Sequence, residues 1–333
     1  MNLKAGLLGG GSWGTTVAAL VARNAPITMW ARDAATVEEI NSKHTNCKYL
    51  PDAVLPGQVR ATGNLEEAVS GMDVVIMGIP SQSFRGVLEQ IRPHIRPWVP
   101  VISLSKGLEL ASRKRMTELI NEVLPGHPAG VLTGPNLARE IMSGYAAASV
   151  IAMEDDVIVR ELQKLFHSGL FRVYTNHDVI GSELGGVLKN IIAIATGMGD
   201  GQGAGENTRS AVITRGLAEI TRLGVAMGGE PQTFAGLAGT GDLIATCTSA
   251  QSRNRTVGYK LGKGLTIKEI TDEMFMVAEG VKSAPAVMAL ADKYGVDMPI
   301  AREVFEVVQD KSTARAAFRG LLKTVAGAES DPG

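Results

Sequence analysis

One feature constrains this chain more than any other: a run of glycines placed between an apolar strand and a helix. Residues 3–8 read as a buried strand, and a helical pattern runs over 12–23. Between them stands Gly9-Gly10-Gly11-Ser12-Trp13-Gly14, with glycines at the first, third and sixth positions. In that order, strand, turn and helix form the entry to a strand–helix–strand unit that binds a dinucleotide. Gly9 makes the tight turn, Gly11 lets the backbone approach a pyrophosphate, and Gly14 lets the helix pack closely on the strand. The helix N-terminus then offers free N–H groups and a positive dipole end to the phosphates.

The rest of the first half fits such a unit. Ile27–Trp30 reads as a second strand, and 74–79 as a third, ended by Pro80. Further strands are read at 99–104, 130–133 and 148–152. They are continuously apolar rather than alternating, which implies burial on both faces. Helical stretches separate them, which implies a parallel, doubly wound sheet. After a strand-like piece at 171–175 the pattern turns helical, with candidates over 183–196, 208–223 and 283–294. The fold class is therefore α/β: a doubly wound Rossmann-type domain over 1–176, then a mostly helical domain over 177–333. At 333 residues the chain is long enough for two cores. Gly197, Gly199, Gly201, Gly203 and Gly205 place glycine at every second position, and the sequence reads there as a mobile loop. The tail 328–333 reads as frayed.

Composition removes several function classes. Lys plus Arg is 33 and Asp plus Glu 34, so there is no basic footprint for nucleic acid. Two cysteines, Cys47 and Cys247, make no disulfide framework, and five scattered histidines have no metal-ligand spacing; no metal is expected. The opening apolar run is too short for a signal peptide, and no stretch approaches the ~20 apolar residues of a membrane span. A cytoplasmic enzyme without a membrane partner is the expectation.

Two further features carry chemistry. The second strand ends in Ala31-Arg32-Asp33. An acidic residue there suits a ribose hydroxyl, whereas a small residue followed by arginine suits a 2′-phosphate; the pair Ala31-Arg32 favours NADP over NAD, with Asp33 still placed to reach a ribose. Lys189 sits on a helical face whose other members are Ser182, Gly185, Gly186, Ala193 and Thr196, opposite a stripe of Leu184, Val187, Leu188, Ile191 and Ile194. A lysine among small side chains has something bulky against it, another backbone or a ligand. Burial lowers a lysine's pKa towards neutrality and suits it to proton transfer. Spacing alone also admits a surface lysine on a helix made for close packing.

Six segments in order, LGGGSWGTT, SLSKGLE, GPNLAREI, LKNIIAIATGMGDG, GTGDLIATCTSAQSRNRTVG and VAEGVKSA, resemble the bacterial NAD(P)-dependent glycerol-3-phosphate dehydrogenases, over essentially residues 1–320. The resemblance implies reversible reduction of dihydroxyacetone phosphate to sn-glycerol 3-phosphate, supply of that product for phospholipid synthesis, and a homodimer. It also implies site residues. Ser12, Trp13, Arg32, Tyr49, Ala138, Val277 and Glu279 correspond to cofactor positions, and Lys106 to one that touches both cofactor and substrate. Gly134 and Asn136 correspond to substrate positions, Asn136 standing where Ser or Thr is common. Lys189 matches the proton-transfer lysine. Asp242, Ser252, Arg253 and Asn254 match substrate positions, with Asp242 holding or tuning the lysine and Arg253 also reaching the cofactor. Ser252-Arg253-Asn254 offers a guanidinium fork flanked by a hydroxyl and an amide, a suitable donor set for a phosphate; without the resemblance it reads equally as a helix cap and a solvated arginine. Two other readings were weighed: a related two-domain dehydrogenase acting on a hydroxy acid, and a dinucleotide-sensing protein without catalysis. The first wants a carboxylate site in place of the phosphate cluster, and the joint presence of Lys189 and Asp242 speaks against the second.

Overall fold

A computed structural model describes residues 3–274 and 278–323; Val277 and the tail 328–333 lie outside the described residues. The chain divides into two compact units, Met1–Glu109 with Lys114–Val179, and Leu110–Arg113 with Ile180–Gly333.

The first unit is built on ten strands: β1 (Ala5–Leu8), β2 (Ile27–Trp30), β3 (Thr45–Asn46), β4 (Leu50–Val54), β5 (Val59–Thr62), β6 (Val74–Met77), β7 (Val101–Ser103), β8 (Ala129–Thr133), β9 (Ala147–Met153) and β10 (Phe171–Asn176). Its helices are α1 (Ser12–Val21), α2 (Ala34–Lys43), α3 (Leu65–Val69), α4 (Ser81–Ile91), α5 (Met116–Val123), α6 (Ala138–Met142) and α7 (Asp156–Phe166). Eight strands form one sheet in the order β10-β9-β8-β7-β6-β1-β2-β5. All neighbours run parallel except β8 and β9. The pleat explains the unbroken apolar runs. Leu7, Val74 and Ile76 enter a core on one face, while Leu8, Val75 and Met77 enter another on the opposite face.

Strand β1 lies between β2 and β6, where the order of the winding reverses. Loops leaving the carboxyl ends of strands on either side of such a point diverge, and ligands of doubly wound sheets bind in the opening. The glycine turn follows β1, Arg32 follows β2, Lys106 follows β7, and Gly134 follows β8. The topology therefore gathers these residues on one edge.

The second unit is helical: α8 (Val179–Gly201), α9 (Glu206–Ala226), α10 (Pro231–Ala235), a π-helical turn (Leu237–Gly241), α11 (Asp242–Thr248), α12 (Arg253–Gly262), α13 (Ile267–Glu273), α14 (Glu279–Tyr294), α15 (Pro299–Val308) and α16 (Ala314–Lys323). Among the described residues α8 is the one helix long and apolar enough to cross a membrane, and 89% of its most apolar window is buried.

The structure corrects one expectation here. The stretch of alternate glycines is not a loop from its start: α8 runs through Gly197 and Gly199 to Gly201 before a turn begins. The reason is packing. A Cβ on Gly197 would collide with the carbonyl oxygen of Arg255, and one on Gly201 with that of Tyr259. From the other side, a Cβ on Gly258 would collide with the carbonyl of Ile194, and one on Gly262 with that of Met198. Helices α8 and α12 thus cross backbone to backbone, and glycine's low helix propensity, about 1 kcal/mol against alanine, is offset by that contact.

A second device holds the C-terminal helices. Glu219 of α9 is 1% exposed, and its carboxylate accepts from the N–H groups of Ile300 (2.7 Å) and Ala301 (3.1 Å) at the start of α15. It caps a helix to which it does not belong. Burial pushes its carboxyl up to about 7, against the two N–H donors that favour the charged form.

Candidate active site

In the first unit the glycines divide by cause. Gly9 has φ +122°, and a Cβ there would strike the carbonyl oxygen of Gly78; one on Gly14 would strike that of Gly9. The fold itself demands these two. Around Gly11 nothing lies within 4 Å of where a Cβ would stand. Gly11 N-caps α1 without a side-chain cap, so the first-turn N–H groups have no capping side chain, as at helix N-termini that bind phosphates. The brace of this turn comes from a residue outside the motif. Asn46, fully buried, donates to the carbonyl of Gly10 (2.9 Å) and to Thr15 Oγ1 (2.8 Å). No sequence signal marked it, since the residue comes from the small β3–β4 hairpin.

Around the turn, Ser12 Oγ donates to the carbonyl of half-buried Tyr49 (3.2 Å). Trp13 packs on the core with its ring 6.4 Å from that of Phe171. Arg32 is exposed at the end of β2. Asp33 stands next, at the start of the helix that follows. It caps α2, accepting from Ala35 N (3.1 Å) and Thr36 Oγ1 (3.2 Å), and the backbone donor is the main reason its carboxyl lies below the usual range. On the same sheet edge Lys106 Nζ donates to the carbonyl of Gly134 (2.9 Å), whose φ is +137°. Asn136 donates to Ser149 Oγ (3.0 Å), which donates to the carbonyl of Thr133 (2.7 Å). The Oδ1 of Asn136 is buried without a partner, an acceptor available to a bound donor. Ala138 opens α6, half-buried.

In the second unit Lys189 is 5% exposed, so the bulky neighbour inferred from its small-residue face is protein. A Cβ on Gly185 would collide with the carbonyl of Ala238 in the π-helical turn, which lies against that face. The turn delivers Asp242 and α11. Lys189 Nζ donates to Asp242 Oδ1 and to Thr246 Oγ1 (2.5 Å), and the Thr246 hydroxyl donates a hydrogen bond to the carbonyl of Asp242 (2.7 Å). Asp242 is 2% exposed. The result is a buried lysine–aspartate pair with a neutral acceptor beside it, in surroundings of low dielectric where polar groups interact strongly. Thr246 was missed by the sequence analysis, although its i+4 spacing from Asp242 puts both on one helical face. Nearby Cys247 is buried, which pushes its thiol up to about 11 and leaves it inert.

The Ser252-Arg253-Asn254 cluster separates into three roles. Ser252 caps α12, accepting from Arg255 N (3.2 Å). Asn254 is buried; it donates to Asn190 Oδ1 (2.9 Å) and accepts from Gly280 N (2.9 Å). Arg253, on the first turn, is exposed. The neighbouring Arg255 is engaged elsewhere, with Asp200 (2.7 Å), a carboxylate that also holds Arg209 (2.8 Å). Glu279 opens α14, one residue before Gly280.

A phosphate-receiving turn on the edge of a doubly wound sheet and a buried lysine–aspartate pair on a helical unit are the parts of a dinucleotide-dependent oxidoreductase. The family described as NAD-dependent glycerol-3-phosphate dehydrogenase N-terminus matches residues 4–159, and its C-terminus counterpart matches 178–319. The chain is 71% identical over 333 residues, all of both chains, to a glycerol-3-phosphate dehydrogenase [NAD(P)+] 2 of Sphingopyxis alaskensis. It is 55% identical to a glycerol-3-phosphate dehydrogenase [NAD(P)+] of Mycobacterium avium, over 98% of this chain and 96% of that one. A crystal structure of glycerol-3-phosphate dehydrogenase from Coxiella burnetii superposes with a TM-score of 0.92 at 35% identity, covering 97% and 99% of the two chains. This chain belongs to the NAD-dependent glycerol-3-phosphate dehydrogenase family.

Proposed function

We propose that the protein reduces dihydroxyacetone phosphate reversibly to sn-glycerol 3-phosphate with NADPH in preference to NADH. The observation that carries the chemistry is the buried Lys189–Asp242–Thr246 cluster. When bound, the reduced nicotinamide supplies a hydride to the carbonyl carbon. Lys189 then gives a proton from Nζ to the carbonyl oxygen as it becomes an alkoxide, and solvent later restores that proton. Asp242 keeps the lysine charged until the alkoxide develops, and Thr246 holds Nζ in one direction. In the oxidative direction neutral Lys189 takes the hydroxyl proton.

The remaining assignments rest on the family resemblance of the motifs. Gly9, Gly11, Ser12, Trp13 and Gly14 bind the cofactor's pyrophosphate, and Arg32 its 2′-phosphate. Tyr49, Ala138, Val277 and Glu279 complete the cofactor contacts, with Lys106 and Arg253 touching cofactor as well as substrate. Gly134 and Asn136 face the substrate. Within the cluster on α12, Arg253 meets the substrate phosphate, while Ser252 and Asn254 order the turn that presents it. The nucleotide-binding role falls to residues 1–176 and the proton-transfer role to 177–333. We place the enzyme in the cytoplasm as a homodimer that supplies glycerol phosphate for phospholipid synthesis.

The test is NADPH oxidation followed at 340 nm, with dihydroxyacetone phosphate and with dihydroxyacetone, for the wild type and Arg253→Ala. The unphosphorylated ketone should be a very poor substrate. Arg253→Ala should depress kcat/KM heavily for the phosphorylated ketone and little for the other, because binding energy at the phosphate orients the reacting carbon. The comparison is a double-mutant cycle in which general damage cancels. No turnover of dihydroxyacetone phosphate by the wild type would refute the proposal. Equal losses on both ketones would move the phosphate site away from Arg253.

A further inference from the structure

The loop that carries Lys106 has no regular structure of its own from residue 104 to 109. It is tied instead to one side of α4 and its entry. Ser105 Oγ donates to the carbonyl of Ile79 (2.5 Å), Gln82 Nε2 donates to the carbonyl of Leu108 (2.8 Å), and Arg85 holds Glu109. Gln82 and Arg85 are three apart and so share one face of the helix, and Ile79 lies just before its N-cap. The last tie is the strongest. Arg85 meets Glu109 as a fork, Nε to Oε1 at 2.8 Å and Nη2 to Oε2 at 2.9 Å, and the Glu109 side chain is only 14% exposed. The same guanidinium reaches Glu122 of α5 (3.0 and 3.2 Å), and Lys114 holds Glu122 from the other side (2.6 Å). Two cations and two carboxylates therefore clamp both ends of the turn that begins after Glu109, where Glu109 N also donates to the carbonyl of Lys114 (3.0 Å).

We propose that Arg85 and Glu109 are positioning residues for Lys106. A bidentate pair fixes orientation as well as distance, and it grips the loop three residues beyond the lysine. Ser105 grips it one residue before. The lysine's Nζ is thereby held at the Gly134 carbonyl rather than swinging on an untethered loop. Neither member of the pair acts on a ligand; each acts through Lys106. The inference rests on the reading of Lys106 as a residue that touches cofactor and substrate.

The experiment compares wild type, Arg85→Ala, Glu109→Gln, Lys106→Ala and the two doubles with Lys106→Ala, in the NADPH assay with dihydroxyacetone phosphate. Arg85→Ala and Glu109→Gln should each lower kcat/KM about tenfold, since a displacement near 1 Å costs up to a hundredfold. The loss should fall mainly on KM for dihydroxyacetone phosphate. In the Lys106→Ala background neither substitution should cost anything more, because a residue that acts only through the lysine has nothing left to position. Losses that multiply in the doubles, a loss confined to kcat, or wild-type kinetics in both singles would overturn the proposal. Arg85→Ala removes a partner from two carboxylates, so if it does not fold, Glu109→Gln, which keeps the side chain's shape, decides alone. Wild-type kinetics in Lys106→Ala would sink the role of Lys106 and this inference with it, while turnover of dihydroxyacetone phosphate by the unaltered enzyme would leave the proposed activity standing.

Discussion

The chain contains two glycine-rich stretches, and they do opposite things. The one at 9–14 turns a strand into a helix, with Gly9 in a backbone region closed to other residues and Gly11 under open space. In the one that begins at Gly197, Gly197 and Gly201 lie inside a helix without a left-handed backbone angle and serve by lacking a side chain. In the first, the chain's own backbone approaches Gly9 and Gly14, and open space surrounds Gly11. In the second, another helix approaches. Glycine content alone does not distinguish the uses; what surrounds each absent Cβ does.

The largest expected effect tests that contrast directly. Gly197→Ala should destabilise the protein by about 3 kcal/mol or more, because the methyl would enter the backbone of Arg255 and neither helix can yield cheaply. Gly11→Ala should leave unfolding within about 0.5 kcal/mol of wild type while weakening cofactor binding about tenfold. Thermal melting and cofactor titration of both variants check the pair. A Gly11→Ala protein that melts early with normal cofactor affinity would make both stretches structural and erase the difference.

Next in size is Lys189→Ala, on the helix that the second stretch continues. Turnover should fall about a hundredfold or more with cofactor affinity nearly unchanged. Stability should fall too, since Asp242 is left a buried charge without its counter-ion. Adding Asp242→Asn should restore melting but not turnover, separating the helix's chemistry from its packing. Near-normal turnover in Lys189→Ala would move the proton-transfer role to Lys106.

Much of this division was legible in the sequence. Ile27–Trp30 has the bounds expected of it, and the Gly9 turn stands at the switch point its motif requires. Strand β5 escaped notice because Arg60 interrupts its apolar run at the sheet edge, and the reversal of β9 against β8 leaves no mark in composition. The pairing of Lys189 with Asp242 spans 53 positions, so only the fold brings it together; local periodicity could announce a lysine with a neighbour, not which neighbour. The glycines from 197 were misread because propensity describes an isolated helix, and tertiary contact overrode it.

A smaller effect sharpens the cofactor side. Arg32→Ala should weaken NADPH binding about tenfold to a hundredfold and NADH binding little, since a guanidinium–phosphate contact is worth about 1.5–3 kcal/mol. Equal losses for the two cofactors would show that Arg32 does not read the 2′-phosphate.

The smallest effect concerns the helical unit's own stability. Glu219 titrates near 7 when folded and near its ordinary 4.5 when unfolded. The folded state therefore holds the extra proton between those values. Its contribution to stability is complete below about 4.5 and is lost as pH rises to about 7, on the order of 1–3 kcal/mol in all. Glu219→Gln, which mimics the protonated acid, should remove that slope, so that the variant gains on the wild type as pH rises from 5 to 8. Denaturant melts across that range with parallel pH profiles would show that Glu219 does not titrate there.

The backbone contact between α8 and α12 also sets an order of events during synthesis. Helix α8 has the length and apolarity of a membrane span, and the glycines that cover its far end, Gly258 and Gly262, are translated long after it. At about 5–20 residues per second, the ribosome needs roughly 3–12 s to pass from Gly201 to Gly262. Through that interval the backbone that meets this end of α8 has not yet been made. A message cut short before codon 253 would leave Gly197 and Gly201 without the backbone they pack against, while the part of α8 that meets the π-helical turn and α11 keeps its partners.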